Sequence, residues 1–280
     1  MMATVKTPIS RHFRRARVTG SVTALLGGLL FLPTAPVVRA RATVAVDLWA
    51  KGQPAFGVYA PRPYTIETAE KLAGNPLYDF IFLNLESGYD AAAVNAIAQG
   101  LRGLPGAGRK TLLVRIPSID RAGAADTRSR VQEVLSLGGD GVVIPHVRNV
   151  AEAKEAVGFF RDAKANVWSP ATPSGETIAM LMIEDPGALA QARAIADVEG
   201  YSILACGIGS LRSALGGDAG AAEAGTQAVL AESKRAKLVN MLTANAQDVE
   251  KRLKDGFLAL LFSGQAADDG IKVGRAAVKR

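Results

Sequence analysis

The sequence predicts an α/β protein built as a (β/α)8 TIM barrel. Eight short apolar, β-branched runs recur along the chain, and a pattern with helical period follows each of them. The first strand–helix turn lacks the glycine fingerprint that a doubly wound nucleotide-binding sheet requires. Runs that are apolar throughout suit a parallel sheet covered by helices, because neither face of such a sheet meets water. The barrel is expected over residues 43–280, behind a leader at 1–42.

In chain order, the strands are expected at 55–60 (AFGVYA), 80–85 (FIFLNL), 111–116 (TLLVRI), 141–147 (GVVIPHV), 178–184 (IAMLMIE), 201–208 (YSILACGI), 237–242 (KLVNML) and 257–262 (FLALLF). Helices are expected at 65–73, 91–101, 127–137, 150–163, 186–197, 221–236, 246–254 and 266–278. Asp90, Asn149 and Asn245 stand as N-caps, and Asp185-Pro186 reads as a cap followed by the first helical residue. Gly138-Gly139 and Gly256 fall just past helix ends, where left-handed backbone suits glycine. The proline-rich loop 166–175 precedes the fifth strand, and its Trp168 reads as a packed loop residue rather than a lid.

The leader reads as an export signal. Lys6, Arg11, Arg14, Arg15 and Arg17 precede an apolar run over 18–38, and Val38-Arg39-Ala40 and Ala40-Arg41-Ala42 offer the small residues that a signal peptidase accepts. Arg14-Arg15 partly matches the twin-arginine pattern. An uncleaved anchor is the alternative, but Gly27, Gly28, Pro33 and Pro36 interrupt the run. The expected location is therefore periplasmic or secreted, with no stable membrane insertion after cleavage.

The formal charge of +7 needs dividing before it is interpreted. The leader holds the whole excess, in Lys6, Arg11, Arg14, Arg15, Arg17, Arg39 and Arg41, and residues 43–280 are formally neutral. No nucleic-acid surface is expected, and an aromatic content of 6% argues against a stacking platform for single strands. A single cysteine, Cys206, excludes a disulfide framework and any multi-cysteine metal cluster.

In a barrel of this kind, chemistry sits at the carboxyl ends of the strands. Those ends carry Asn84, Glu86 and Ser87 after the second strand, Arg115 after the third, His146 after the fourth, Glu184 and Asp185 after the fifth, and Gly207 to Arg212 after the sixth. Glu184 follows an apolar run, so its carboxylate needs a cation or hydrogen-bond donors beside it. A salt bridge to Arg115 and a metal or substrate site are both open readings at this point.

Two long segments, GGDGVVIPHVRNVAEAKEAV (138–157) and AMLMIEDPGALAQARAIADVEG (179–200), are flanked in order by LLVRIP (112–117) and CGIGSLRSALG (206–216). Together they resemble the HpcH/HpaI aldolase family of metal-dependent pyruvate aldolases, related to citrate lyase β-type enzymes. The resemblance runs from about residue 56 to 279. It implies a barrel of the phosphoenolpyruvate/pyruvate-binding type and a homo-oligomer. It also implies a carbon–carbon lyase acting on a 2-oxo acid through an enolate stabilised by a divalent metal, Mg or Mn. Glu184 stands at the metal-ligand position, and Arg115 stands where an arginine contacts the oxygen on which negative charge develops. Gly207 and its neighbours line the carboxylate pocket, and Glu86 belongs to the catalytic set.

Three positions depart from the family's pattern. Ser210, in GIGSLRSALG, takes the place of the second metal-ligand aspartate, and NLESG puts Asn84 and Ser87 where the base dyad has aspartate and histidine. A serine hydroxyl supplies neither the negative charge that Mg or Mn prefers nor a base near neutral pH. His146 is a candidate replacement base, and Arg212 a candidate guanidinium in the cation's place. Gly207, Ser210, Arg212, Asn84 and Ser87 form the candidate substrate-binding set. The alternative reading is an exported barrel that binds a small oxo or carboxylic acid without turnover.

Overall fold

The structure, a computed structural model, describes residues 43–102 and 108–280; the export leader expected at 1–42 lies outside them. Eight parallel strands close into a barrel in sequence order: β1 (Ala55–Tyr59), β2 (Phe80–Asn84), β3 (Thr111–Arg115), β4 (Gly141–Ile144), β5 (Ile178–Ile183), β6 (Ile203–Cys206), β7 (Val239–Thr243) and β8 (Ala259–Phe262). Closure is direct, with Ala55 to Val58 of β1 in register with Ala259 to Phe262 of β8. Every expected strand is present.

Two apolar layers explain why those runs are continuous. Phe80, Phe82, Leu113, Val143, Met180 and Met182 point into the barrel, while Ile81, Leu83, Leu112, Val114, Val142 and Leu181 alternate with them and pack beneath the helices. The helical layer comprises α2 (Ile66–Gly74), α3 (Ala91–Arg102), α5 (Ala124–Leu137), α6 (Val150–Asp162), α10 (Ala219–Arg235), α11 (Val249–Asp255) and α12 (Ala267–Ala277). Short helices complete it: α4 (Ile119–Ala122), α7 (Pro186–Leu189), α8 (Ala192–Ala196) and α9 (Ile208–Ala214). Among the described residues, no helix is long and apolar enough to cross a membrane.

The expected caps fall mostly into place. Asp90, Asn149 and Asp185 accept hydrogen bonds from the backbone N–H of Ala93, Glu152 and Ala188 at 3.1, 3.0 and 2.8 Å. Gly138 and Gly256 take left-handed backbone, with φ of 99° and 94°. Asn245 differs, because its side chain accepts from the N–H groups of Gln247 and Asp248 and so forms a turn ahead of α11. The helix expected at 186–197 divides into α7 and α8, and the strand expected at 201–208 stops at Cys206 because Ile208 already begins α9.

Three helices were not legible: the short α4 and α9, and one at the amino end of the barrel. α1 (Val44–Ala50) crosses the amino end of the barrel and closes it as a floor. Trp49 donates its indole N–H to the Leu258 carbonyl at 2.8 Å, and its ring lies 6.1 Å from that of Trp168. Trp168 is therefore a packed floor residue, 1% exposed, at the end opposite any mouth. Beside this floor, Asp79, Asp140, Ser202 and Asn240 each accept a backbone N–H from the neighbouring strand or its approach, at Phe56, Leu112, Ala179 and Leu258. These bonds satisfy the donors that a parallel strand leaves open where it begins.

Candidate active site at the barrel mouth

Four consecutive strands deliver one polar side chain each to a single point. Arg115 is the last residue of β3, Glu184 follows β5 directly, His146 stands two residues beyond β4, and Glu86 two beyond β2. Arg115 Nη2 donates to Glu86 Oε1 at 2.8 Å and lies 2.9 and 3.1 Å from the two oxygens of Glu184. His146 Nε2 lies 3.1 Å from Glu86 Oε1 and 3.6 Å from Glu184 Oε2. The backbone N–H of His146 also donates to Glu184 Oε2 at 3.1 Å, and the residue takes a left-handed φ of 50° to do so. Glu184 is 2% exposed, so its charge is compensated by donors rather than by water.

The local chain explains these positions. Asn84 Oδ1 accepts the N–H of Glu86 at 3.2 Å, an Asx turn that ends β2 and carries Glu86 over the mouth. Gly207 has ordinary backbone torsions but an unusual neighbour, since a Cβ there would lie 2.1 Å from Glu184 Oε1. Only glycine lets the carboxylate lie against the start of α9. Burial alone pushes the Glu86 carboxyl up, but the hydrogen bond with His146 and the charge of Arg115 hold it below the usual range. The hydrogen bond to Glu86 raises His146 in turn.

A cavity of about 180 Å³ opens on one side of the cluster, walled by Tyr59, Phe82, Arg115, Glu184, Gly207 and Ser210 among others. On the other side a cleft of about 520 Å³ is bounded by Glu86, His146, Ser118, Arg121 and Arg148. A larger cleft of about 700 Å³, lined by residues such as Arg161, Tyr201 and Lys237, adjoins the amino ends of β6 and β7, far from this chemistry.

The structure therefore brings Arg115, Glu86, His146, Glu184, Gly207 and Ser210 together. It places three other candidates elsewhere. Arg212 stands two residues beyond Ser210 on α9, which turns about 100° per residue, so its side chain leaves the mouth. Its Nε donates to the Gly217 carbonyl at 2.9 Å, and no guanidinium from α9 takes a cation's place. The Asn84 side chain is spent on its own turn, and Ser87 is exposed beyond that turn. Tyr59, at the carboxyl end of β1, was missed, although the strand-end rule that found Arg115 applies equally to it.

Glu86, His146 and Glu184 each offer a ligand atom within 4.8 Å of the others. Two carboxylates and an imidazole are donors that suit a divalent cation. The fit has one physical condition, because Arg115 draws on the same carboxylate oxygens.

Comparison with known proteins gives a consistent picture. The model of the family HpcH/HpaI aldolase/citrate lyase matches residues 61–265. The chain is 31% identical over 169 residues to "4-hydroxy-4-methyl-2-oxoglutarate aldolase tasA" of Hapsidospora irregularis, covering 52% of this chain and 58% of that relative. Among solved structures, an HpcH/HpaI aldolase from Desulfitobacterium hafniense is similar with a TM-score of 0.65 at 20% identity, over 85% of this chain and 96% of that one. The citrate lyase beta subunit from M. tuberculosis, complexed with oxaloacetate and magnesium, is similar with a TM-score of 0.57 at 18% identity, over 82% and 99% of the two chains.

Proposed function

Because the chain belongs to the HpcH/HpaI aldolase/citrate lyase family, we propose that it is a carbon–carbon lyase acting on a 2-oxo acid bound in the mouth cavity. The observation that carries this reading is the convergence of Glu86, Arg115, His146 and Glu184 from four successive strands beside a cavity of about 180 Å³. That volume suits a small acid of a few carbon atoms. The similar M. tuberculosis subunit, which binds oxaloacetate with magnesium, supports the choice of ligand class.

In the cleavage direction, a base takes the proton of the substrate hydroxyl and the carbon–carbon bond breaks. A carbonyl product leaves, and the remaining enolate takes a proton at carbon to give the 2-oxo acid. Arg115 is the residue that meets the developing oxyanion, since it lines the mouth cavity beside Glu184. His146 takes and returns the proton, with Glu86 orienting its ring and raising its basicity. Gly207 gives the room in which Glu184 faces the ligand. A divalent cation, Mg or Mn, would be held by the carboxylates of Glu184 and Glu86, and when bound it would supply Lewis-acid polarisation of the 2-oxo group.

One observation favours a second reading. Ser210 lines the cavity where the family resemblance expects a carboxylate, so a barrel that binds an oxo acid without turnover is the competing function. Oxaloacetate decarboxylation separates the two, because it needs only an oxo-acid pocket and enolate stabilisation. Turnover with Mn2+ that excess chelator removes, and that Glu184→Ala also removes, is the expected result. No turnover in the wild type, with recovery in Ser210→Asp, overturns the lyase reading in favour of the binding protein.

A further inference from the structure

We propose that Tyr59 is a second hydrogen-bond donor to the anionic oxygen bound in the mouth cavity, acting beside Arg115. The proposal rests on the oxo-acid reading of the site and assigns the ligand's negative oxygen two donors from adjacent parts of the wall. Tyr59 is the last residue of β1, so it stands at the end of the barrel where the other polar residues converge. It lines the same cavity as Arg115 and Glu184.

The ring is held by packing. Tyr59 lies edge-on to Phe82, with ring centroids 5.2 Å apart and planes at 72°. Phe82 is itself buried among the inward-facing barrel residues. No side chain among the described residues hydrogen-bonds the phenol. A tyrosine fixed by its ring and left free at its hydroxyl is positioned to donate to something that the cavity receives.

Arg115 stands on the same wall as a second donor, its Nη2 holding the two glutamates at the edge of the cavity. A single acceptor in the cavity would meet both the Tyr59 phenol and the Arg115 guanidinium, since both line it. Most of the remaining wall offers no competing partner, since Phe82, Met182, Met241 and Leu261 are apolar. A carboxylate or enolate oxygen on a small planar acid is the acceptor that answers an ionic and a neutral donor together.

Protonation supports the assignment. Burial raises the Tyr59 phenol, and the charges of Glu184 and Glu86 raise it further against the opposing charge of Arg115. The group therefore remains an O–H donor at neutral pH. The serine at position 210 gives this donor a purpose. With serine at this position, α9 brings no carboxylate to the cavity, and more of the oxyanion's charge falls to hydrogen bonds from the wall.

The test is oxalate binding by calorimetry, since oxalate has the planar shape and charge of a 2-oxo acid enolate. Wild-type protein and Tyr59→Phe are compared, each checked for an unchanged melting temperature. The variant is expected to bind oxalate about tenfold more weakly, the loss of one hydrogen bond to a charged acceptor. Its kcat on oxaloacetate should fall more than its KM rises, a split that mere repacking of the ring would not produce. The wild type supplies an independent readout, a tyrosine ultraviolet difference signal on oxalate addition that Tyr59→Phe lacks. Equal oxalate affinity in the two proteins, with turnover intact in both, overturns the role of Tyr59 and leaves the lyase reading standing. A wild type that binds neither oxalate nor oxaloacetate overturns the oxo-acid reading and this assignment with it.

Discussion

At the scale of single residues, Arg115 carries two obligations. It neutralises the buried Glu184 and it lines the cavity that receives the ligand. Arg115→Met takes the guanidinium away from the buried Glu184 and should cost about 3 kcal/mol in chemical denaturation, the usual consequence of breaking a buried pair. Mn2+ should restore much of that loss and raise the melting temperature of the variant more than that of the wild type, because the ion then meets no competing guanidinium. Gly207→Ala tests a different contact. Its backbone torsions accept alanine, yet the new methyl would lie 2.1 Å from Glu184 Oε1. The expected result is a folded protein whose decarboxylation rate falls by at least an order of magnitude through displacement of that carboxylate. At this scale the sequence was only partly legible. Strand-end position identified Arg115, Glu86, His146 and Glu184, but the direction of a side chain on a short helix did not follow from spacing, and Arg212 was misplaced for that reason.

At the scale of elements, α1 and the α10–α11 contact make separate predictions. Trp49 joins α1 to the floor through both its ring and its N–H, and Trp49→Ala should destabilise the protein by about 3 to 5 kcal/mol in urea denaturation, as for other buried tryptophans. Across α10 and α11, Glu223 accepts from Arg252 at 2.7 Å and Lys251 at 2.8 Å, and the hydrogen bond from Arg252 leads in lowering its pKa from 4.5 to about 2. A carboxyl lowered in the folded state contributes stability that is complete above its unfolded value and is lost as pH falls through the folded one. Denaturation midpoints should therefore decline between pH 4.5 and about 2, and the decline should be shallower in Glu223→Gln. The strands and long helices were legible because parallel strands buried on both faces leave unbroken apolar runs. α1 was not, because VAVDLWA is too short to show a helical period and its burial comes from the barrel it closes.

At the scale of the whole molecule, the expected export leader supplies one more prediction. Export processing after Ala42 would leave Thr43, which directly precedes α1 as its N-cap and is buried. N-terminal sequencing of protein recovered from a secreting host should begin at Thr43, and a start within α1 would contradict this boundary. The barrel as a whole was readable from its repeat of strand and helix, whereas its function depended on residues that meet only on closure. The floor has a practical side as well. The backbone N–H of Val44 meets the Arg109 carbonyl at 3.4 Å, and the guanidinium of Arg280 meets the Pro54 carbonyl at 2.6 Å and Asp79 at 3.0 Å. Pro54, Asp79 and Arg109 all precede their strands, so the start of the barrel region and the end of the chain both lie at its amino end. Protein fixed to a sensor chip through a tag at Arg280 would stand with its mouth toward the flowing solution, and surface plasmon resonance could measure small acids on it without the support blocking their approach.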